Sequence, residues 1–221
     1  MSTWTDQNQL FLNLPTDQFL TILAYGEAGN QGAEGMMAVL NVIRNRTLDR
    51  SYYDEEIYTM TNDAYKAVGL KKWQFSMFNL NDPVRITAEK IANNFQGYLS
   101  NSTIQQAYNL SQMAIAGTLE DNTAGAQFYF NPAGVTTEPQ WASVIPFIGQ
   151  IGDHLFFGSG ISAAIGSAVE TIEETVTTIA STIEEKAVEA IGVMKQYPNI
   201  VVLVLAGLGV GLLLEMRRKK K

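Results

Sequence analysis

The sequence predicts an α+β, mainly helical domain over residues 1–158, followed by an amphipathic helix over 159–196, a membrane-crossing helix over 197–216 and a basic tail over 217–221. Three observations carry that expectation. Apolar residues recur at helical spacing through the first half of the chain, one short aromatic run near Phe128 has the length and make-up of a strand, and the composition changes abruptly after Phe157.

Pro15-Thr16-Asp17 ahead of Phe19, Leu20, Ile22 and Leu23 marks a helix start, with Thr16 as N-cap because its hydroxyl can accept from the unpaired N–H groups of the first turn. The glycines of Gly26-Glu27-Ala28-Gly29-Asn30-Gln31-Gly32 interrupt that helix. A second helix is expected over about 33–46. It buries Met36, Met37, Leu40, Val42 and Ile43, and its Arg44 and Arg46 complement the negative end of the helix dipole. Further helices are expected near 83–98 and 102–116. Gln127-Phe128-Tyr129-Phe130 reads as a strand that stops at the turn signal Asn131-Pro132.

Beyond Phe157 the chain turns to Gly, Ser and Ala, then to a stripe of Ile165, Val169, Ile172, Val176, Ile179 and Ile183 spaced alternately by four and three. Glu173, Glu174, Glu184 and Glu185 fall on other faces. The segment reads either as a coiled-coil stalk of about 35 residues and about 50 Å, through which copies of the chain would associate, or as an amphipathic helix lying on the domain or a bilayer. Residues 200–214 carry no polar side chain. At about 1.5 Å per residue they cover about 22 Å of a hydrocarbon core of about 30 Å. Tyr197, Lys195 and the terminal cations can complete the span in the headgroups, which favours a lipid membrane as partner.

Charge is divided just as unevenly. The chain has 15 Lys and Arg against 22 Asp and Glu, a net charge of −7, and five of the cations form the run Arg217, Arg218, Lys219, Lys220, Lys221. Upstream, ten cations face 22 anions, a balance of −12. So acidic a body excludes nonspecific nucleic-acid binding through the main domain and leaves the tail as the segment suited to phosphates, such as those of packaged DNA. Cysteine is absent, which excludes disulfides and thiolate chemistry. With one histidine, His154, and no metal-ligand spacing, no metal or cofactor is expected. Residues 1–10 are polar and hold no Lys or Arg, so signal-dependent export is not expected.

Glu27 is the residue with the clearest chemical potential. It sits among Tyr25, Gly26, Ala28 and Gly29 at the end of an apolar helix. A carboxyl there is poorly solvated, its pKa rises, and it can give a proton to a glycosidic oxygen at neutral pH. The competing reading is an acid that only caps a helix or pairs with Arg44 or Arg46. Lys72-Trp73-Gln74-Phe75-Ser76 and the aromatic residues Phe128, Tyr129, Phe130 and Trp141 suit the walls of a sugar cleft, since pyranose rings stack on aromatic faces while amides and hydroxyls hold ring hydroxyls. Their alternative is an aromatic core.

Leu23-Ala24-Tyr25-Gly26-Glu27-Ala28, Gly32-Ala33-Glu34-Gly35 and Ala38-Val39-Leu40-Asn41-Val42-Ile43-Arg44-Asn45-Arg46 together resemble the opening motif of the SleB-type cell-wall hydrolase family, which includes spore cortex-lytic enzymes. Trp73-Gln74-Phe75-Ser76 is similar to its central element, Tyr129 with Asn131-Pro132 to its Phe-Tyr-x-Asn-Pro element, and Trp141 with Ile151-Gly152-Asp153-His154-Leu155-Phe156-Phe157 to its closing one. Four ordered elements over 20–157 are far more specific than one motif. The resemblance implies a lysozyme-like domain that cleaves the bond between N-acetylmuramic acid and N-acetylglucosamine as a lytic transglycosylase. It implies Glu27 as the catalytic acid, with Gln74, Phe75, Ser76, Tyr129, Asn131 and Trp141 holding the peptidoglycan strand. Glu34 also matches a family acid, and a structural place at a helix start is expected for it. His154 reads as a hydrogen-bonded packing residue rather than a catalyst.

A wall-cutting domain joined to a membrane helix suits a phage particle with an internal membrane, opening the wall locally as its genome is delivered. A wall-remodelling enzyme on the bacterial cytoplasmic membrane and a noncatalytic membrane protein of a virion are the competing readings.

Overall fold

The computed structural model describes residues 3–158, 175–183 and 185–186. Its organising element is α3, Thr16–Ala28, which buries Phe19, Leu20, Ile22, Leu23 and Ala24 almost completely. A helix apolar on so many faces needs neighbours on several sides. These are α4, Gly32–Thr47; α7, Pro83–Asn93; and α9, Ser102–Ala116. Phe19 stacks on Phe78 with ring centroids 5.7 Å apart, and each such fully buried side chain contributes about 1.5–3 kcal/mol. Short helices α1, Trp4–Gln7; α2, Gln9–Leu12; α5, Glu55–Thr61; and α6, Ala64–Gly69, complete this helical core together with α8, Phe95–Tyr98.

Local chemistry sets the boundaries. Asp82 caps α7 by accepting from the Val84 N–H, and Pro83 takes the first position, where an N–H would have no partner. Asn101 caps α9, which stops at Gly117 with φ 73°. The glycine-rich segment does end α3, through a 3-10 turn at Gly29–Gln31. Two boundaries differ from the sequence expectation. Pro15 rather than Thr16 precedes α3, and the Thr16 hydroxyl instead donates to Asp63 Oδ2 at 2.7 Å, tying α3 to the cap of α6. The helix expected near 83–98 breaks at Asn94, φ −145°, a residue type that readily leaves the helical backbone.

Three strands, β1 (Phe128–Phe130), β2 (Phe147–Ile151) and β3 (His154–Phe157), form an antiparallel sheet in the order β1-β3-β2. The first unit is therefore α+β and mainly α. The β2–β3 turn holds Gly152 at φ 56°, and a Cβ there would lie 2.2 Å from Gln31 Oε1. Glycine suits the backbone there, and its missing Cβ leaves the space that the Gln31 amide fills.

A second unit, Ser167–Lys221, has as its described residues 175–183 and 185–186, which are helical. Val176, Ile179 and Ile183, part of the expected seam, are exposed there. Among the described residues no helix is long and apolar enough to cross a membrane. The expected membrane helix, the basic tail and most of the expected stalk lie outside the described residues.

Candidate active site

The last turn of α3 carries Glu27 into a cleft of about 580 Å³. Arg46 from α4, the segment from Trp73 to Asn79, β1 with Asn131, Trp141, and His154 of β3 line the remaining walls. Gly26 lets two of these elements meet. A Cβ at Gly26 would lie 2.6 Å from Met77 Sδ, and buried Met77 has little room to withdraw, so hydrogen alone allows the 3-10 turn Ser76–Phe78 to close on α3. The Met77 backbone then comes near enough to the Glu27 carboxyl to favour its charged form. Buried Arg85 anchors the same turn by donating to the Phe78 carbonyl, to Asn8 Oδ1 at 3.0 Å and to the Gln7 carbonyl at 2.5 Å.

Glu27 itself is half-buried and makes no ion pair among the described residues. The two arginines that could have neutralised it are engaged elsewhere, Arg44 with the Leu119 carbonyl and Arg46 with the Gln127 carbonyl at 2.6 Å. Its partner is the Tyr129 hydroxyl, which donates to Oε2 at 2.9 Å. Burial pushes the Glu27 carboxyl up to about 7, the negative charge of Asp82 adds to the rise, and the bond from Tyr129 and the nearby Met77 backbone oppose it. A carboxyl raised so far can hold a proton at neutral pH. Burial and the neighbouring Glu27 raise Tyr129 well above the ordinary phenol range, so it stays a neutral donor.

Tyr129 is held in turn. Its ring meets His154 edge to face at 4.8 Å and Phe156 at 5.7 Å. Gln31 accepts from the Asp153 N–H at 3.0 Å through Oε1, so its Nε2 is the donor to His154 Nδ1 at 3.1 Å, and the neutral ring carries its proton on Nε2. Burial lowers the His154 pKa, which keeps the ring neutral. His154 is thus a hydrogen-bonded packing residue in the cleft wall, in the place the sequence suggests.

Arg46 is the surprise of the site. Its sequence position reads as a dipole complement, yet its guanidinium is buried among the rings of Tyr52, Phe75 and Phe128, 5.5–5.7 Å from their centres. Nη1 has no partner among the described residues, and burial lowers the pKa of a group that nonetheless stays charged. A cation in so dry a wall is weakly screened and biases the cleft toward negative charge. Asn79, whose buried Oδ1 is also unpaired among the described residues, is a second lining residue that sequence reasoning misses.

Of the residues expected to hold a sugar, Gln74, Ser76, Tyr129, Asn131 and Trp141 all line the cleft with Glu27. Asn131 Oδ1 caps the Ala133 N–H at 2.9 Å, which leaves its amide nitrogen for a ligand. Trp141 packs on Phe128, Phe130 and Phe157 and is both core and wall. Phe75 departs from the expectation. It is 2% exposed, packed beneath the cleft against Tyr129 and Arg46, while its neighbours Gln74 and Ser76 are exposed on the outer side of the turn that leads into the 3-10 helix Ser76–Phe78. Glu34 lies exposed in the first turn of α4, where its charge favours the helix start, outside the cleft.

The chain is similar to two solved structures. One is the catalytic domain of the germination-specific lytic transglycosylase SleB from Bacillus anthracis, at 25% identity over 66% of this chain and 97% of that one, with a TM-score of 0.40. The other is the catalytic domain of the Bacillus cereus SleB protein, at 22% identity over 66% and 93%, with a TM-score of 0.40. No curated protein matches significantly. The sequence pattern of the Cell Wall Hydrolase family matches residues 30–157, beginning just after Glu27 and taking in every other residue of the cleft. That match spans more than half of the chain, which therefore belongs to the cell wall hydrolase family, as its SleB-type resemblance implies.

Proposed function

We propose that this family member is a lytic transglycosylase that cuts the glycan strand of peptidoglycan between N-acetylmuramic acid and N-acetylglucosamine, with Glu27 as its acid and base. The observation that carries the reading is that Glu27 is the one carboxyl among the described residues lining the cleft. A hydrolase that activates water commonly needs a second carboxylate about 5–9.5 Å from the first. A transglycosylase needs one. Protonated Glu27 gives its proton to the bridging oxygen as the bond from the muramyl anomeric carbon to that oxygen breaks. The resulting carboxylate takes the proton of the muramyl 6-hydroxyl, whose oxygen bonds to the anomeric carbon and closes a 1,6-anhydro ring. Atoms balance without water, and Glu27 ends protonated. Tyr129 steadies the carboxylate between the two steps, Arg46 favours the electron-rich oxygen as it develops, and Gln74, Ser76, Asn131 and Trp141 hold the sugar rings.

The test is digestion of purified peptidoglycan by the protein and its Glu27→Gln variant, with mass spectrometry of the released sugars. Anhydro-muropeptides from the parent and a loss of at least about a hundredfold in the variant are expected. Reducing ends without anhydro products would mean hydrolysis, and no products from the parent would favour a noncatalytic protein.

For its setting, the reading is a phage particle in which residues 197–216 anchor the enzyme in an internal membrane, the basic tail meets packaged DNA and the 159–196 segment associates with itself. The support is the apolar run and its basic flank. Fractionated particles should hold the protein in their lipid layer; finding it in host membranes alone would favour the wall-remodelling role.

A further inference from the structure

Beside the cleft lies a second cavity of about 280 Å³, walled by Trp4, Gln7, Lys72, Trp73, Asn79 and Asn81. We propose that it is a distal sugar subsite, with Trp73 as the platform for a ring of the glycan strand beyond the bond that is cut. The inference rests on the reading of Glu27 as the cutting acid for its direction along the strand, and on its own geometry for the binding.

The two cavities are neighbours. Trp73 and Asn79 line both this one and the cleft that holds Glu27, so a strand that leaves the cleft on this side meets Trp73. Trp73 is also unusual in itself. Its side chain is 73% exposed and its backbone sits at φ 70°, a conformation a bulky L residue rarely adopts. Core burial explains neither feature. A turn that needs only a positive φ is made best by glycine, and an indole left in water adds nothing to the core. Bulky residues held in strained backbone gather at ligand clamps.

The lining chemistry suits a sugar. Trp4 approaches Trp73 at 6.5 Å, tilted by 36°, and Trp4 is pinned through its indole N–H to the Leu70 carbonyl at 2.6 Å. Two indoles beside the Asn81 amide and the Lys72 ammonium offer apolar faces and polar groups together, the mixture that fits a pyranose ring bearing hydroxyls and an N-acetyl group. Lys72 holds its Nζ 5.0 Å from the Trp73 ring centre, and this exposed side chain can swing to a ring hydroxyl. Among the described residues no carboxylate lines the cavity, which fits a neutral ligand that carries its own acceptors. The volume is at the lower edge of ligand pockets, roughly 300–1,000 Å³, and matches one sugar ring.

The experiment uses the full-length protein and its Trp73→Ala and Trp73→Phe variants, with thermal unfolding to check that each is folded. Peptide-free glycan strands, short ones that fill only the cleft and long ones that reach further, are the substrates. Trp73→Ala should raise KM about tenfold for long strands and clearly less for short ones, which meet Trp73 only at the wall of the cleft, while Trp73→Phe restores most of the loss. Calorimetry with the Glu27→Gln protein, with and without Trp73→Ala, measures the same difference as binding of long strands when nothing is cut. An unchanged KM and affinity, an equal loss on short and long strands, or a loss confined to strands bearing peptides would each overturn the subsite. A protein that binds long strands through Trp73 yet cuts none would leave the subsite standing and reject the proposed reaction; cutting that ignores Trp73 would do the reverse.

Discussion

Replacing Glu27 by Gln should remove activity and, over part of the pH range, make the protein more stable. The carboxyl titrates near 7 in the folded protein against an ordinary value of 4.5. Below about 4.5 both states are protonated and the group favours neither. Between 4.5 and 7 the unfolded chain ionises while the folded one keeps its proton, so stability falls with rising pH by about 1.4 kcal/mol per unit. The total loss is about 3 kcal/mol and is complete once pH has passed 7, against a typical stability of about 5–15 kcal/mol. The substituted amide has no proton to lose and its oxygen can still accept from Tyr129, so the variant lacks this slope. Urea unfolding of the unit Met1–Gly166, parent and variant, at each pH from 4 to 8 measures the difference. All other titrations are common to both proteins and cancel. The stability gap should shift by about 3 kcal/mol in favour of the variant between pH 4 and pH 8. Parallel curves would mean that Glu27 ionises as it would in water, and the case for a proton donor at neutral pH would fall with them.

Three further outcomes concern the same geometry, beside the pH dependence of the parent. For the parent, kcat/KM should decline as pH rises through about 7, tenfold per unit well above it, because the protonated acid is the active form. Tyr129→Phe removes a donor that favours the carboxylate, so the Glu27 pKa should climb and that limb should move to higher pH even as the maximal rate falls; a limb that stays put or moves to lower pH contradicts the assigned bond. Arg46→Met leaves the Gln127 carbonyl without its donor and empties the ring cage, a loss of roughly 2–4 kcal/mol in unfolding, with a lower kcat in the protein that remains folded; unchanged stability would show the cage to be loose. His154→Phe keeps an aromatic edge against Tyr129 and loses only the Gln31 bond, so the pH profile should keep its shape with a rate within about tenfold of the parent; a lost limb would make His154 a titrating participant.

What was legible in the sequence is what obeys short-range rules. Phe19 to Leu23 and the glycines after Tyr25 report on their own backbone, so α3, α4 and α9 could be read within a few residues, whereas α7 and α8 were read as one helix because the break at Asn94 has no strong local signal. β1 was legible because three aromatic residues end at Asn131-Pro132. The β2–β3 hairpin was not, since Phe147–Ile151 and His154–Phe157 acquire their meaning from pairing with each other and with β1. The same division holds at the site. Glu27 could be singled out because its dry surroundings are sequence neighbours, whereas Tyr129 is recognisable as its partner only once the chain brings residues 102 positions apart to 2.9 Å. Arg46 does stand in the last turn of α4 as read, but its burial is visible only once Tyr52, Phe75 and Phe128 close around it. Phe75 misled, since its run of neighbours says cleft while its own side chain turns inward.

The most direct measurement is the titration of Glu27 itself, by carbon NMR of protein labelled at glutamate side-chain carboxyls, with Glu27→Gln identifying the resonance. One carboxyl should titrate near pH 7, well apart from the others, with a midpoint that rises in Tyr129→Phe. A Glu27 resonance that titrates near 4.5 would contradict the proposed chemistry, because no proton would then be held for the sugar at neutral pH.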